Sequence, residues 1–315
     1  MNPSISIVVP LFNESDSFPY LVERLDKIIQ NSPFPIEVVL VDDGSTDNTA
    51  VMMELLAMQN AHYQSIFLAR NYGHQTALTA GLQYARGTEA IMIIDGDLQD
   101  PPELLFKFYD YYKQGYDVVY AIRKKRREGF IKKLSYKAFY RILKYISYVD
   151  IPIDSGDFSL ISRRVVNILN RMPEESRYMR GMRTWVGFKQ IGVEYDRSER
   201  MAGSSKYSLK KLFQLAYNGI FNFSEFPIKF ISKLGYFTVI ISLIYLGYTI
   251  FKKIVNGNVP EGFTATLMAI ILFSGVQLIS LGVIGEYLLR IFFQVKGRPL
   301  FVVKNVIQEK ELVNE

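Results

Sequence analysis

The chain has 315 residues, 49% of them apolar and 14% aromatic, and carries a net charge of +6. Cysteine is absent and only His62 and His74 represent histidine, which excludes disulfides, thiolate metal sites and a histidine cage; any bound metal is a hard ion held by oxygen. The positive balance suits an anionic membrane surface or nucleic acid, but no zinc finger, RNA-recognition signature or helix-turn-helix accompanies it, so a nucleic-acid partner is not expected.

The N-terminus, MNPSISIVVP, runs straight into a strand-like segment without the charged and apolar regions of a signal peptide, so the N-terminal domain is expected in the cytoplasm. From Ser4 to Ile122, the apolar runs ISIVVP, IEVVLVDD, SIFLA, AIMIID and DVVYAI alternate with helix-period segments. These segments are Tyr20 to Asn31, Asn48 to Gln59, Gln75 to Ala85 and Pro102 to Gln114. Runs so uniformly rich in Val and Ile are buried on both faces, the pattern of parallel strands. The alternation predicts right-handed crossovers and a doubly wound, mainly parallel α/β sheet.

In such a sheet ligands bind beyond the carboxyl ends of the strands. The first four predicted strands all end in polar groups: Asn13 and Glu14 after the first, Asp42 and Asp43 after the second. Arg70, Asn71 and Gly73 follow the third, and Asp95 and Asp97 the fourth. Singly, DDGST reads as a turn capping the next helix, and Asp-Gly often marks a turn and nothing more. Four such segments converging on one edge point to a site. Asp95 and Asp97, separated by Gly96, can grip one Mg²⁺ or Mn²⁺ completed by water and substrate phosphates. An EF-hand loop would end in Glu where Phe106 stands. Neither GxxxxGK[ST] nor a GxGxxG after the first strand is present, which argues against a P-loop NTPase and a dinucleotide oxidoreductase.

Residues 123 to 205 are less regular. The basic run RKKRREGFIKK leads into an amphipathic helix near Lys132 to Tyr148, then a loop with Asp154 and Asp157, a strand at Phe158 to Ser162 and helices near Arg163 and Tyr178. A carboxylate just before a strand suits a catalytic base or a sugar-binding group, with a turn Asp as the competing reading. In RSERMAGSSKYSL, Arg197, Arg200 and Lys206 can clamp phosphates, unless they are only a charge cluster beside a membrane.

The last third changes character. Leu234 to Phe251 has no charge across 18 residues, and Gly262 to Gly285 none across 24. A helix needs about 20 apolar residues to cross the hydrocarbon core, so two transmembrane helices are expected at about 231–252 and 262–287. A pair of buried core helices is the competing reading. Lys206, Lys210, Lys211, Lys229 and Lys233 precede the first span, and Arg290, Lys296, Arg298 and Lys304 follow the second. The connecting loop holds only Lys252 and Lys253, which puts both termini in the cytoplasm. Leu209, Leu212, Phe213, Ala216, Ile220 and Phe223 share one helical face, so an amphipathic helix in the headgroup layer is expected over 206–229, with an ordinary surface helix as the alternative. The expected organisation is a catalytic domain over 1–205, this helix, a hairpin over 230–290 and a cytoplasmic tail over 291–315.

Six segments in order, IVVPLFNE, VDDGSTDNT, LARNYGHQTALTAG, IDGDLQDPPE, GDFSLISRR and AGSSKYSL, resemble glycosyltransferase family 2, inverting enzymes with a GT-A fold. From Ser4 to about Lys304 the chain is similar to the polyprenyl-phosphate glycosyltransferases of that family, bacterial bactoprenol glucosyltransferases above all. The resemblance implies Pro10, Phe12, Glu14 and Asp43 around the nucleoside, Asp95 and Asp97 as the metal motif with Gln99 nearby, and Asp157 at the position of the family's base. It implies Arg123, Arg127, Lys132 and Ser135 for the acceptor phosphate and Arg200 and Lys206 for the donor pyrophosphate. Processive members share QxxRW and have more spans; the only tryptophan, Trp185, lies in RGMRTW, which fits a single transfer better. The implied activity is transfer of a sugar, glucose first, from a UDP-sugar to undecaprenyl phosphate at the cytoplasmic membrane of a bacterium, with Mg²⁺ or Mn²⁺. A homo-oligomer is left open. A transferase acting on a polysaccharide or protein hydroxyl, and a membrane scaffold or small transporter with a nucleotide-sensing domain, are the alternatives.

Overall fold

The computed structural model describes residues 2–123, 155–175, 177–196, 226–256 and 262–313. The apolar runs form β1 (Ile5–Leu11), β2 (Ile36–Asp42), β3 (Tyr63–Leu68), β4 (Ala90–Ile93) and β5 (Val118–Arg123). Between them lie α1 (Phe18–Asn31), α2 (Thr49–Gln59), α3 (His74–Tyr84) and α4 (Leu104–Lys113). Then come β6 (Ser155–Ser162), α5 (Arg163–Arg171), α6 (Met179–Trp185) and β7 (Gln190–Tyr195). Two long helices, α7 (Phe226–Asn256) and α8 (Phe263–Lys296), precede β8 (Val303–Gln308) and β9 (Glu311–Val313).

Among the described residues the strands join in the order β7-β5-β6-β4-β1-β2-β3-β8-β9. The block β4-β1-β2-β3 is parallel, as the two-faced burial of its strands predicts. Antiparallel β6 and β8 flank it, giving a mixed GT-A-like sheet. Side chains alternate across the strands. Ile5, Ile7, Val9 and Leu11 share a core with Phe18, Leu21 and Leu25 of α1, Met53 of α2 and Phe108 of α4. Val8 and Val41 point to the opposite face, where a Cβ on Gly81 would collide with Val8; glycine there lets α3 pack close against the sheet.

Glu37, near the start of β2, is buried and anchors the end of the sheet away from the strand tips. It accepts from Ser6 Oγ at 2.6 Å and from Arg86 Nε at 2.8 Å. Arg86 also donates to Glu309 at 2.9 Å, in the turn between β8 and β9. Glu309 and Lys310 both have positive φ, the geometry of a two-residue hairpin turn. Within the segment expected as a tail, residues 291–296 complete α8, β8 joins the sheet beside β3, and β9 forms its edge.

Contacts within the chain separate the sheet with β8 and β9 from a second unit built on α7 and α8. With 31 and 34 residues, these helices run about 46 and 51 Å at 1.5 Å per residue, more than the ~30 Å of a bilayer core. Both are long and apolar enough to cross a membrane, and among the described residues the apolar window of each is not buried. Hydroxyl side chains inside them bond back to their own helix: Ser242 donates to Thr238 O and Ser280 to Val276 O. The amphipathic helices expected at 132–148 and from 206 up to residue 225 lie outside the described residues.

Candidate active site

Parallel pairing of β1, β2, β3 and β4 brings their carboxyl ends to one edge. The loops after β1 and β2 are zipped together: Asn13 N–H donates to Ser45 Oγ at 3.0 Å, and Thr46 N–H donates to Asn13 Oδ1 at 2.7 Å. Glu14 N–H reaches Thr49 Oγ1 at 2.9 Å. Asn13 sits at φ 53, a left-handed position that asparagine tolerates. This zipper holds Phe12 and Glu14 beside the strand tips, with Pro10 buried in β1 behind them.

Asp42 and Asp43 divide the work of shaping the next two loops. Asp42 accepts from Ser45 N–H at 3.1 Å. Asp43 accepts from Tyr72 N–H at 2.7 Å and Gly73 N–H at 2.9 Å, fixing the loop that opens α3. Burial raises both carboxyl pKa values, opposed by these N–H groups. Gly44, at φ 71, lies so close to the Arg70–Asn71 backbone that a Cβ would stand 2.6 Å from it. Asn71 is exposed on the following loop.

After β4, Asp95, Gly96 and Asp97 turn sharply, and the next residue, Leu98, is buried at φ 59. Backbone held in that region by its surroundings is characteristic of functional loops. Gln99 N–H donates to Asp97 Oδ1 at 3.2 Å. His74 Nε2 lies 3.0 Å from Asp95 Oδ1. Burial works to lower the His74 pKa, but the Asp95 carboxylate outweighs it and the pKa is raised.

Asp157, on β6, meets these loops from the other half of the sheet. It is 6% exposed. Arg180 on α6 donates to it twice, Nε to Oδ1 at 3.0 Å and Nη2 to Oδ2 at 3.3 Å. Gln75 Nε2 donates to Oδ2 at 3.0 Å. Burial alone would raise the Asp157 pKa; Arg180 and His74 reverse that and hold it below the usual carboxylate range. Arg183, one turn further along α6, is fully buried, and burial pushes its pKa down to about 10. It donates to Ser159 Oγ and Gly156 O, both at 3.0 Å, and its guanidinium lies 5.3 Å from the Tyr120 ring centroid.

The strand-tip residues singled out from the sequence thus gather at one edge with Asp157. Arg123 closes β5 beside Gly156, and its pKa is raised because Asp100 and Tyr195 outweigh the effect of burial. Tyr195 in turn donates to Asp100. Arg127, Lys132, Ser135, Arg200 and Lys206 lie outside the described residues. His74, Gln75, Arg180 and Arg183 are additional to the sequence reading. One signal for them was available: the arginines of RGMR are three apart and share a helical face.

Among the described residues no three His, Asp or Glu side chains are grouped to hold a metal. Asp95 and Asp97 offer carboxylate oxygens, the donor type a hard ion takes together with water and phosphate oxygens, and one oxygen of each is already in contact with His74 Nε2 or Gln99 N–H.

The model of "Glycosyl transferase family 2" matches residues 6–169. An uncharacterized glycosyltransferase of Synechocystis sp. is 40% identical over 307 residues, covering 97% of this chain and 96% of that protein. The bactoprenol glucosyl transferase of Shigella phage SfV is 38% identical over 306 residues, covering 97% of this chain and 99% of that protein. Among solved structures, mannosyl-3-phosphoglycerate synthase from Rubrobacter xylanophilus aligns over 69% of this chain and 72% of that one. Its 17% identity and TM-score of 0.45 are too distant to bear on the chemistry.

Proposed function

The chain belongs to glycosyl transferase family 2, and we propose that it moves a sugar, glucose first, from a UDP-sugar to a polyprenyl phosphate at the cytoplasmic face of a bacterial membrane. The observation that carries the acceptor is the likeness to bactoprenol glucosyl transferases over 97% of the chain, a span that takes in both long apolar helices.

In this reading Pro10, Phe12, Glu14 and Asp43 surround the nucleoside, and Arg200 and Lys206 take the donor pyrophosphate. Asp95 and Asp97 hold a divalent ion, which when bound neutralises charge on the departing nucleotide diphosphate. Arg123, Arg127, Lys132 and Ser135 receive the acceptor phosphate. Its oxygen attacks the anomeric carbon in line, the bond to UDP breaks with its electron pair, and configuration inverts.

A phosphate monoester loses its second proton near pH ~6, so at neutral pH the nucleophile is already largely a dianion. Asp157 supports this reading over a hydroxyl acceptor. Both its oxygens accept from Arg180 or Gln75, and its pKa is lowered. A carboxylate so occupied is a weak proton acceptor and a good orienting group.

The polyprenyl chain keeps its acceptor in the bilayer, since each CH₂ leaving it costs about 0.8 kcal/mol. The apolar helices α7 and α8 would keep the catalytic domain at that surface. An acceptor panel tests the proposal: labelled UDP-glucose with undecaprenyl phosphate, undecaprenol and an oligosaccharide. Label is expected only on the phosphate-bearing lipid, and transfer to either hydroxyl acceptor overturns the assignment.

A further inference from the structure

Gln75 occupies an unusual place for a residue in the first turn of a helix. Its Nε2 donates to Asp157 Oδ2 at 3.0 Å, while its Oε1 accepts from Met179 N–H, at the start of α6, at 2.8 Å. The two contacts fix which way the amide points. Reversed, its NH₂ would face a peptide N–H and its oxygen a carboxylate, two repulsive pairs in place of two hydrogen bonds.

The residues on either side give this arrangement a meaning. His74, next in the chain, lies against Asp95, and Gln75 Nε2 is 3.4 Å from His74 Nδ1. Across the site, α6 begins at Met179 and its next residue is Arg180, the two-point partner of Asp157. Gln75 therefore touches the carboxylate, the backbone of the helix that carries that carboxylate's cation, and the imidazole bound to the donor-side Asp95. A purely structural tie between α3 and α6 would need only the Met179 contact; the second contact is to a buried site carboxylate.

We infer that Gln75 is a positioning residue for glycosyl transfer, locking the Asp157–Arg180 pair in register with the Asp95–Asp97 loop so that the acceptor phosphate meets the anomeric carbon in line. The inference rests on the functional reading above and deepens it. Misplacing reacting groups by about 1 Å costs about 10²-fold in rate, which sets the size of the expected effect.

The test uses the full-length protein in lipid nanodiscs with UDP-glucose and undecaprenyl phosphate, comparing wild type, Gln75→Glu and Gln75→Ala. Gln75→Glu keeps the shape of the side chain while replacing the donor to Asp157 by an acceptor. Expected for it is a fall in kcat of about 10²-fold with UDP-glucose Kd changed by less than about threefold, and for Gln75→Ala a smaller fall. Thermal unfolding reports the folded fraction, to which each kcat is referred. A Gln75→Glu kcat within about threefold of wild type, or a donor Kd weakening in step with kcat, overturns the inference. A wild-type protein that transfers glucose leaves the functional reading standing whichever way the variants fall. A wild-type protein that makes no lipid-linked sugar with any UDP-sugar overturns that reading and the inference with it.

Discussion

Arg180 and Asp157 face each other across the candidate site in a two-point ion pair, Nε to Oδ1 at 3.0 Å and Nη2 to Oδ2 at 3.3 Å. With Gln75 on the same carboxylate, Asp157 has no need of a proton and little capacity to take one. Asp157→Asn is predicted to lower kcat by about 10²-fold through lost orientation. Raising the pH should not restore it, because no base has been removed. A pH–rate profile of the variant checks this, and recovery above pH 8 would return Asp157 to the role of general base.

The sign of the Asp157 shift fixes the acid side of the wild-type profile. A carboxyl whose folded pKa is lowered stays ionised until the pH falls below the ordinary carboxylate range. Its charge and its contribution to stability are therefore constant from pH 8 to pH 5, and are lost only as the pH drops through the lowered pKa. The acid limb of transfer should instead fall near pH ~6, where the acceptor phosphate takes up its second proton. Steady-state rates at saturating lipid between pH 3 and pH 8 measure it; a limb centred near pH 4 would point to a protein carboxylate instead.

Gly44→Ala is predicted to weaken UDP binding by about tenfold or more. The φ of 71 at this position disfavours any Cβ by about 1–2 kcal/mol, and the added carbon would meet the Arg70–Asn71 backbone at 2.6 Å. Backbone cannot swing aside as a side chain can, so the loop shaped by Asp43 must move. Calorimetric titration with UDP checks the affinity, and unchanged binding would detach this loop from the nucleotide.

Glu37→Ala should separate stability from binding. The buried carboxylate is removed while Arg86 and Ser6 keep their donors. Because Arg86 is 26% exposed, water offsets part of the loss, and the cost is about 2–3 kcal/mol, below that of a fully buried pair. Glu37 lies near the start of β2, and Asp42 at the other end of the same strand. Chemical unfolding should show the loss while UDP affinity of the folded protein stays the same.

Much of this was legible in the sequence for a physical reason. Parallel strands are buried on both faces and read as unbroken apolar runs, and their carboxyl ends share one edge, so the gathering of Asp43, Asp95 and Asp97 at that edge followed from pattern alone. Strands at the edge of the sheet or next to it lack that signature. In β7 Gly192 interrupts the run, and in β8 Lys304 and Asn305 are exposed, so neither stood out as a strand. The partners of Asp157 were hidden for a different reason. Gln75 is 82 residues away and carries no local pattern, and Arg180, 23 residues away, showed only the three-residue spacing to Arg183; the sheet order that inserts β6 between β4 and β5 brings them together. His74 was visible as one of two histidines, but its contact with Asp95 is a product of the fold.

The most direct test of the account is incubation of the purified protein with undecaprenyl phosphate and UDP-glucose, with Mg²⁺ or with EDTA, followed by extraction of lipid. The account predicts an acid-labile lipid-linked glucose that forms with Mg²⁺ and is absent with EDTA. Donor binding without any lipid product would contradict the acceptor assignment, and equal product with EDTA would contradict the role given to Asp95 and Asp97.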